Sequence, residues 1–119
     1  MRKMVVSIGA LVTLCNAHAW AAFTVLTFDD IAGVPSVLSD GIQIPDGYGG
    51  LNWSDSFRVL NGTVNYIGYN RGTVSPDNVA FNGYGTDVEV TGASFDLAGA
   101  YLTAAYRNGL NIDITAYRS

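Results

Sequence analysis

Short apolar runs, cut again and again by Gly, Asn, Asp and Pro, constrain this chain more than any other feature. Beyond residue 22 no apolar repeat of 3.6 residues persists, so a long amphipathic helix has no basis there, and the runs read as strands joined by turns. Phe23 to Phe28, Leu51 to Trp53, Phe57 to Leu60, Asn78 to Phe81, Val88 to Val90, Ser94 to Leu97, Ala100 to Tyr106 and Leu110 to Tyr117 are the strands expected. Residues 31 to 46 and 62 to 77, rich in Gly, Pro, Asn and Tyr, are expected as loops. Asn61-Gly62 and Asn108-Gly109 are turn signals, since both residue types tolerate positive φ; the second predicts a tight hairpin from Tyr106 to Leu110. In the last run Leu110, Ile112, Ile114 and Ala116 alternate with Asn111, Asp113, Thr115 and Tyr117, the pattern of a half-buried antiparallel strand. The fold class predicted is all-β: an antiparallel jelly-roll-like β-sandwich over residues 22–119. Its expected core is Phe28, Phe57, Phe81, Phe95, Leu97, Leu102, Leu110, Ile112 and Ile114.

The first 21 residues follow different rules. Arg2 and Lys3 precede an uncharged apolar run from Met4 to Cys15, and Ala17-His18-Ala19 and Ala19-Trp20-Ala21 offer small-residue cleavage sites. This is the three-part pattern of a secretory signal peptide, and twelve apolar residues are too few for a bilayer that needs about 20. The reading is therefore a signal helix over 1–21, a secreted or extracytoplasmic destination, and no membrane span after cleavage. Cys15 reads as part of the apolar run and not as a lipid acceptor, because the bulky Leu14 stands where a small residue belongs. Cleavage after Ala21 leaves 98 residues with four arginines against ten acidic groups, a net charge of −6, and no Lys, His or Cys. That inventory excludes a Ser-His-Asp triad, a thiolate nucleophile, a Schiff base, a zinc site of the usual kind and a phosphate-binding lysine loop. It also argues against nucleic acid, which demands a basic face.

Several strings carry a resemblance. Thr27-Phe28-Asp29-Asp30, Ile44-Pro45-Asp46-Gly47-Tyr48-Gly49-Gly50-Leu51-Asn52-Trp53, Asn78 to Gly85, Phe95-Asp96-Leu97 and Tyr101 to Ala105 with the Asn108-Gly109 turn together resemble a secreted β-sandwich module of bacterial exported proteins, many of the PEP-CTERM type, with relatives in fungal secreted proteins. The resemblance covers nearly all of residues 24 to 118 and implies export and a polysaccharide setting. It also implies a longer module, of which this chain would hold the N-terminal part. Leu110 to Tyr117 would then be an exposed edge strand through which the chain self-associates.

Two constellations are candidate sites. Tyr48, Tyr66, Tyr69 and Tyr84 sit in or beside Gly-rich segments, where flat rings can stack on sugars while neighbouring Asp, Asn and Arg bond hydroxyls. Trp53 belongs to the same string, and for it the core is the preferred reading; for Tyr48 a core or corner position competes with the ligand role. Asp29 and Asp30 are the candidate ligands of a structural calcium, with no other cofactor expected. No Asp-x-Asp-x-Asp-Gly loop accompanies them, and a strand-end cap is the competing reading for Asp30. The function expected is an exported, non-catalytic module, structural or polysaccharide-binding at the cell surface or extracellular matrix. The alternative is a fragment of a carboxylate-dependent glycan-active enzyme, which would need an acid pair that nothing in the sequence marks out.

Overall fold

A computed structural model describes residues 23–64 and 68–117. The signal helix expected over 1–21, and Tyr66, lie outside the described residues. The described chain is β-rich: five strands form two antiparallel sheets, joined by loops and three 3-10 turns, with no α-helix among the described residues. β1 (Ile42–Gln43), β3 (Phe57–Asn61) and β4 (Asn78–Asn82) make one sheet in the order β1-β3-β4, and β2 (Asn52–Trp53) pairs with β5 (Val90–Thr91) in the other.

The five residues of β3 show why this segment lies at the centre. In Phe57-Arg58-Val59-Leu60-Asn61 both Val59 and Leu60 are apolar, so neither face of the strand can be left to water. Both are in fact buried, at 0% and 1% exposure. Val59 joins Ile31, Ile44, Leu51 and Trp53 in the main core, with Ile42, Phe57, Ala80, Val90 and Phe95 packed against them, so residues of both sheets build that core. Each such apolar side chain taken from water contributes about 1.5–3 kcal/mol. Trp53 anchors the cluster with Phe57 edge-on at 5.1 Å and Phe28 edge-on at 5.7 Å, while its indole N–H donates to the Tyr48 carbonyl at 2.8 Å.

Leu60 and Arg58 project from β3 on the side opposite Val59. There the 3-10 turn Tyr69–Arg71 covers the sheet, its Tyr69 ring resting on Phe81 of β4 at 5.0 Å.

The C-terminal third departs from expectation. Ala100 to Tyr106 and Leu110 to Tyr117 belong to no ladder, and Leu102, Leu110, Ile112 and Ile114, expected in the core, are exposed. The Asn108-Gly109 turn does form, with Gly109 at φ 74°, yet the runs beside it do not pair into a hairpin. Their alternation is a pattern for a half-covered strand, and such a strand requires a neighbour that the described residues do not provide. Phe23 to Phe28 and Ser94 to Leu97 likewise join no sheet apart from a single bridge at Asp96. Conversely β1 falls inside the expected 31–46 loop; only two residues long, it is too brief to leave a periodic signature.

Candidate functional site

The four candidate tyrosines divide by environment. Tyr48, at the head of the 3-10 turn Tyr48–Gly50, packs on Phe28 at 5.5 Å and Trp53 at 6.2 Å. Its hydroxyl donates to Asp30 Oδ1 at 2.7 Å and accepts from the Phe28 amide at 3.0 Å. Burial and the Asp30 carboxylate, which accepts the phenol's proton, together push its pKa up to about 12. With its ring packed on the core and its hydroxyl committed twice, Tyr48 is a structural corner.

Asp29 is also spent on the fold. Its Oδ1 accepts from the amides of Asp77 at 3.0 Å and Asn78 at 2.8 Å, tying the start of β4 to the Phe28 turn. Asn78 completes the tie by donating its side-chain amide to the Phe28 carbonyl at 2.7 Å, and these bonds hold Phe28 at φ 65°, a conformation that strains a non-glycine residue. Burial raises the Asp29 pKa, but the Asn78 amide, the Ser75 hydroxyl, the Asp77 amide and the Thr27 hydroxyl outweigh it, so the carboxyl titrates below its ordinary value of 3.8. Oδ2 is buried without a hydrogen bond of good geometry, although those two hydroxyls lie beside the group. Among the described residues no group of three or more His, Cys, Asp or Glu gathers to hold a metal ion.

Tyr84 and Tyr69 stand elsewhere, on the side of the β1-β3-β4 sheet that bears Arg58. Arg58 and Phe81 are directly opposed in the β3–β4 register. Cross-strand partners project to the same face with Cβ atoms about 5 Å apart. Arg58 donates through Nε to the Asp40 carbonyl at 3.1 Å and through Nη2 to the Gly41 carbonyl at 2.8 Å, and its guanidinium lies 5.7 Å from the Tyr84 ring centroid, within cation–π range. Tyr84 stands between Gly83 and Gly85 at φ 60° with 82% of its surface exposed. Tyr69 rests on Phe81 and meets Tyr106 edge-on at 5.7 Å. Burial, the Tyr106 phenol and the charge of Asp40 push the Tyr69 pKa up to about 12. Two neighbouring residues of one ladder rung thus carry two tyrosines, one exposed and one half-buried.

Comparison of the chain with protein-family models, curated proteins and solved structures gives no match.

Beside this platform a shallow cleft of about 130 Å³ opens between Arg71, Gly72, Val74 and the Tyr101-Leu102-Thr103 segment. Enclosing small-molecule sites run to roughly 300–1,000 Å³, so a ligand here would lie on the surface and not inside the protein. Arg58, Phe81 and Tyr106 are site residues that sequence reasoning missed. Arg58 carried a signal, as the one charged residue inside an otherwise apolar strand. Tyr106 carried none, since its place at the site comes from a tertiary ring contact with Tyr69.

Proposed function

We propose that this chain is an exported, non-catalytic jelly-roll-like β-sandwich module that binds extracellular polysaccharide through the platform of Tyr84, Arg58 and Tyr69. The observation that carries the reading is Tyr84, a large aromatic ring held almost fully in solvent at a strained positive φ and braced by a guanidinium. A non-glycine residue at such a φ costs about 1–3 kcal/mol, and strain of this kind clusters where a side chain must be presented to something. A ring held on one face by the guanidinium and largely open to solvent elsewhere can offer its other face to the apolar face of a sugar, and the exposed Asn82 and Asp40 beside it suit sugar hydroxyls.

Tyr66 remains part of the proposal as a third stacking residue, while Tyr48 leaves it because ring and hydroxyl are committed to the core. The signal-peptide pattern of residues 1–21 supports export. Structural calcium at Asp29 and Asp30 is a separate proposal, read by a melt in calcium against chelator: a higher Tm in calcium supports it and coincident melts remove it.

The decisive experiment is titration of soluble polysaccharides against the chain and its Tyr84→Ala variant. Saturable binding that falls several-fold in the variant, with an unchanged melt, is the expected result, because one stacked ring is worth about 1 kcal/mol. Equal binding by both proteins overturns the assignment of Tyr84. Glycan turnover that disappears on a single Asp→Asn change overturns the non-catalytic reading in favour of a carboxylate-dependent enzyme.

A further inference from the structure

We infer that the Leu110–Tyr117 run of one copy pairs as a β-strand with the open edge of β4 in a second copy, each chain supplying its run to the other. The donor is a segment built as a strand but with no ladder partner among the described residues. Leu110, Ile112 and Ile114 alternate with polar residues and are 47%, 48% and 63% exposed. With Tyr101, Leu102, Tyr106 and Tyr117, also exposed, they concentrate apolar surface in one short stretch, which monomeric proteins seldom leave to water.

The acceptor follows from hydrogen-bond parity. β4 is an outer strand of its sheet. The Gly62 amide donates to the Asp77 carbonyl at 2.8 Å and the Gly83 amide to the Ser56 carbonyl at 2.7 Å, bracketing the ladder at its two ends. Bonded pairs alternate along an antiparallel ladder, so between these ends Leu60–Val79 and Arg58–Phe81 are the bonded pairs. The main-chain groups of Asn78, Ala80 and Asn82 therefore aim away from β3. Asp29 takes the Asn78 amide, whereas among the described residues no hydrogen bond reaches the outward groups of Ala80 and Asn82. From Asn78 to Asn82 there is no Lys, no Pro and no charge, the devices that normally keep an edge from pairing.

A second copy is the occupant these features fit. Donor and acceptor occur once in the same chain, so two copies satisfy each other reciprocally and close with two-fold symmetry. The charges allow it: the acceptor is uncharged and the donor carries only Asp113, so pairing sets no like charges against one another across the strands despite the acidic chain.

Light scattering with size exclusion over a dilution series tests this, with two variants that leave the described core untouched. Ile112→Pro removes an amide from the exposed donor. Asn82→Pro removes an outward amide from the acceptor at a position whose φ of −78° already suits proline. The expected result is a mass twice that of the chain for the wild type and a single-chain mass for both variants, which still melt cooperatively but lose the concentration dependence of the wild-type melt. A wild type that stays single-chain, open-ended growth with concentration, or an assembly that survives either substitution overturns the inference. Polysaccharide titration of the single-chain Ile112→Pro variant keeps the binding proposal separate, since Tyr84 lies outside the paired strands.

Discussion

Arg58 and Phe81 face each other across the β3–β4 ladder, and each supports a tyrosine: Tyr84 over the guanidinium at 5.7 Å, Tyr69 on the phenyl ring at 5.0 Å. Binding and stability are joined at this rung, because the same guanidinium holds the Asp40 and Gly41 carbonyls in place. Replacing Arg58 with Met keeps the aliphatic stem and removes the charge and both donors. The expected loss is about 1.5–3 kcal/mol of stability, the range for hydrogen bonds to a charged group, together with weaker polysaccharide binding. Arg58→Lys restores the charge without the fork, so it should recover part of the binding and little of the stability. Urea melts and the same titration separate the two effects; a Met variant with wild-type values in both would remove Arg58 from the site.

Tyr48→Phe isolates the phenol that spans Asp30 and Phe28. It leaves the ring packing intact and strips the Phe28 amide of its partner, so a cost of about 1–3 kcal/mol is expected. The alkaline limb of stability carries the same signature. A folded pKa of about 12 lies above the unfolded value of 10.0, so the phenol's contribution is complete below pH 10.0 and is lost as pH rises through the folded value. Tyr69 acts in the same window and direction. Ultraviolet titration should find Tyr48 and Tyr69 ionising late, and the Tyr48→Phe and Tyr69→Phe variants should each remove one late-ionising phenol.

What the sequence made legible tracks how far each segment's surroundings are local. β3 and β4 were expected almost residue for residue, because an apolar run closed by Asn-Gly or opened after Pro-Asp carries its own boundaries. Trp53 in the core followed from its size and its apolar neighbours. The C-terminal runs have equally clear alternation, yet alternation states what a strand needs on one face and not whether a partner is present. Tyr48 and Tyr84 show the same division at the site. Both are tyrosines beside glycines, and only tertiary packing separates the buried corner from the exposed ring. Asp29 reads from the sequence as a candidate calcium ligand and not as the clamp on residues 77 and 78, since that partner lies 48 positions away.

Asp29→Ala should rank among the more damaging single changes, and Asp29→Asn should be milder because the amide oxygen in place of Oδ1 can still accept both amide protons, though without the carboxylate's charge. The acid limb distinguishes this role from general charge effects. The folded pKa lies below 3.8, so the carboxylate's contribution is complete above that value and is lost as pH falls through the lower folded pKa. Wild-type stability should drop in that window, while Asp29→Asn should lose its share of the drop. Denaturant melts between neutral and strongly acidic pH provide the measurement, and parallel curves for the two proteins would show that Asp29 ionisation is not coupled to folding.

Gly41 and Gly47 share a left-handed backbone and differ in everything around it, which turns a pair of Gly→Ala substitutions into a test of the core. Gly41 has φ 69° and Gly47 has φ 78°, so each alanine costs about 1–2 kcal/mol for conformation alone. At Gly47 nothing among the described residues beyond its own chain neighbours lies within 4 Å of an added Cβ, and the cost should end there. At Gly41 the added Cβ would run into the Val59 carbonyl and crowd Leu60 Cβ, both on the central strand, which is buried on each side and cannot move away. Gly41→Ala should therefore cost well beyond Gly47→Ala and displace β1 from β3. The displacement also reaches the binding rung, because the Gly41 carbonyl is a partner of Arg58. Matched urea melts with polysaccharide titration should show Gly41→Ala losing both stability and affinity and Gly47→Ala losing a little stability only. Equal losses in the two variants would mean that β1 is not held against Val59 as described.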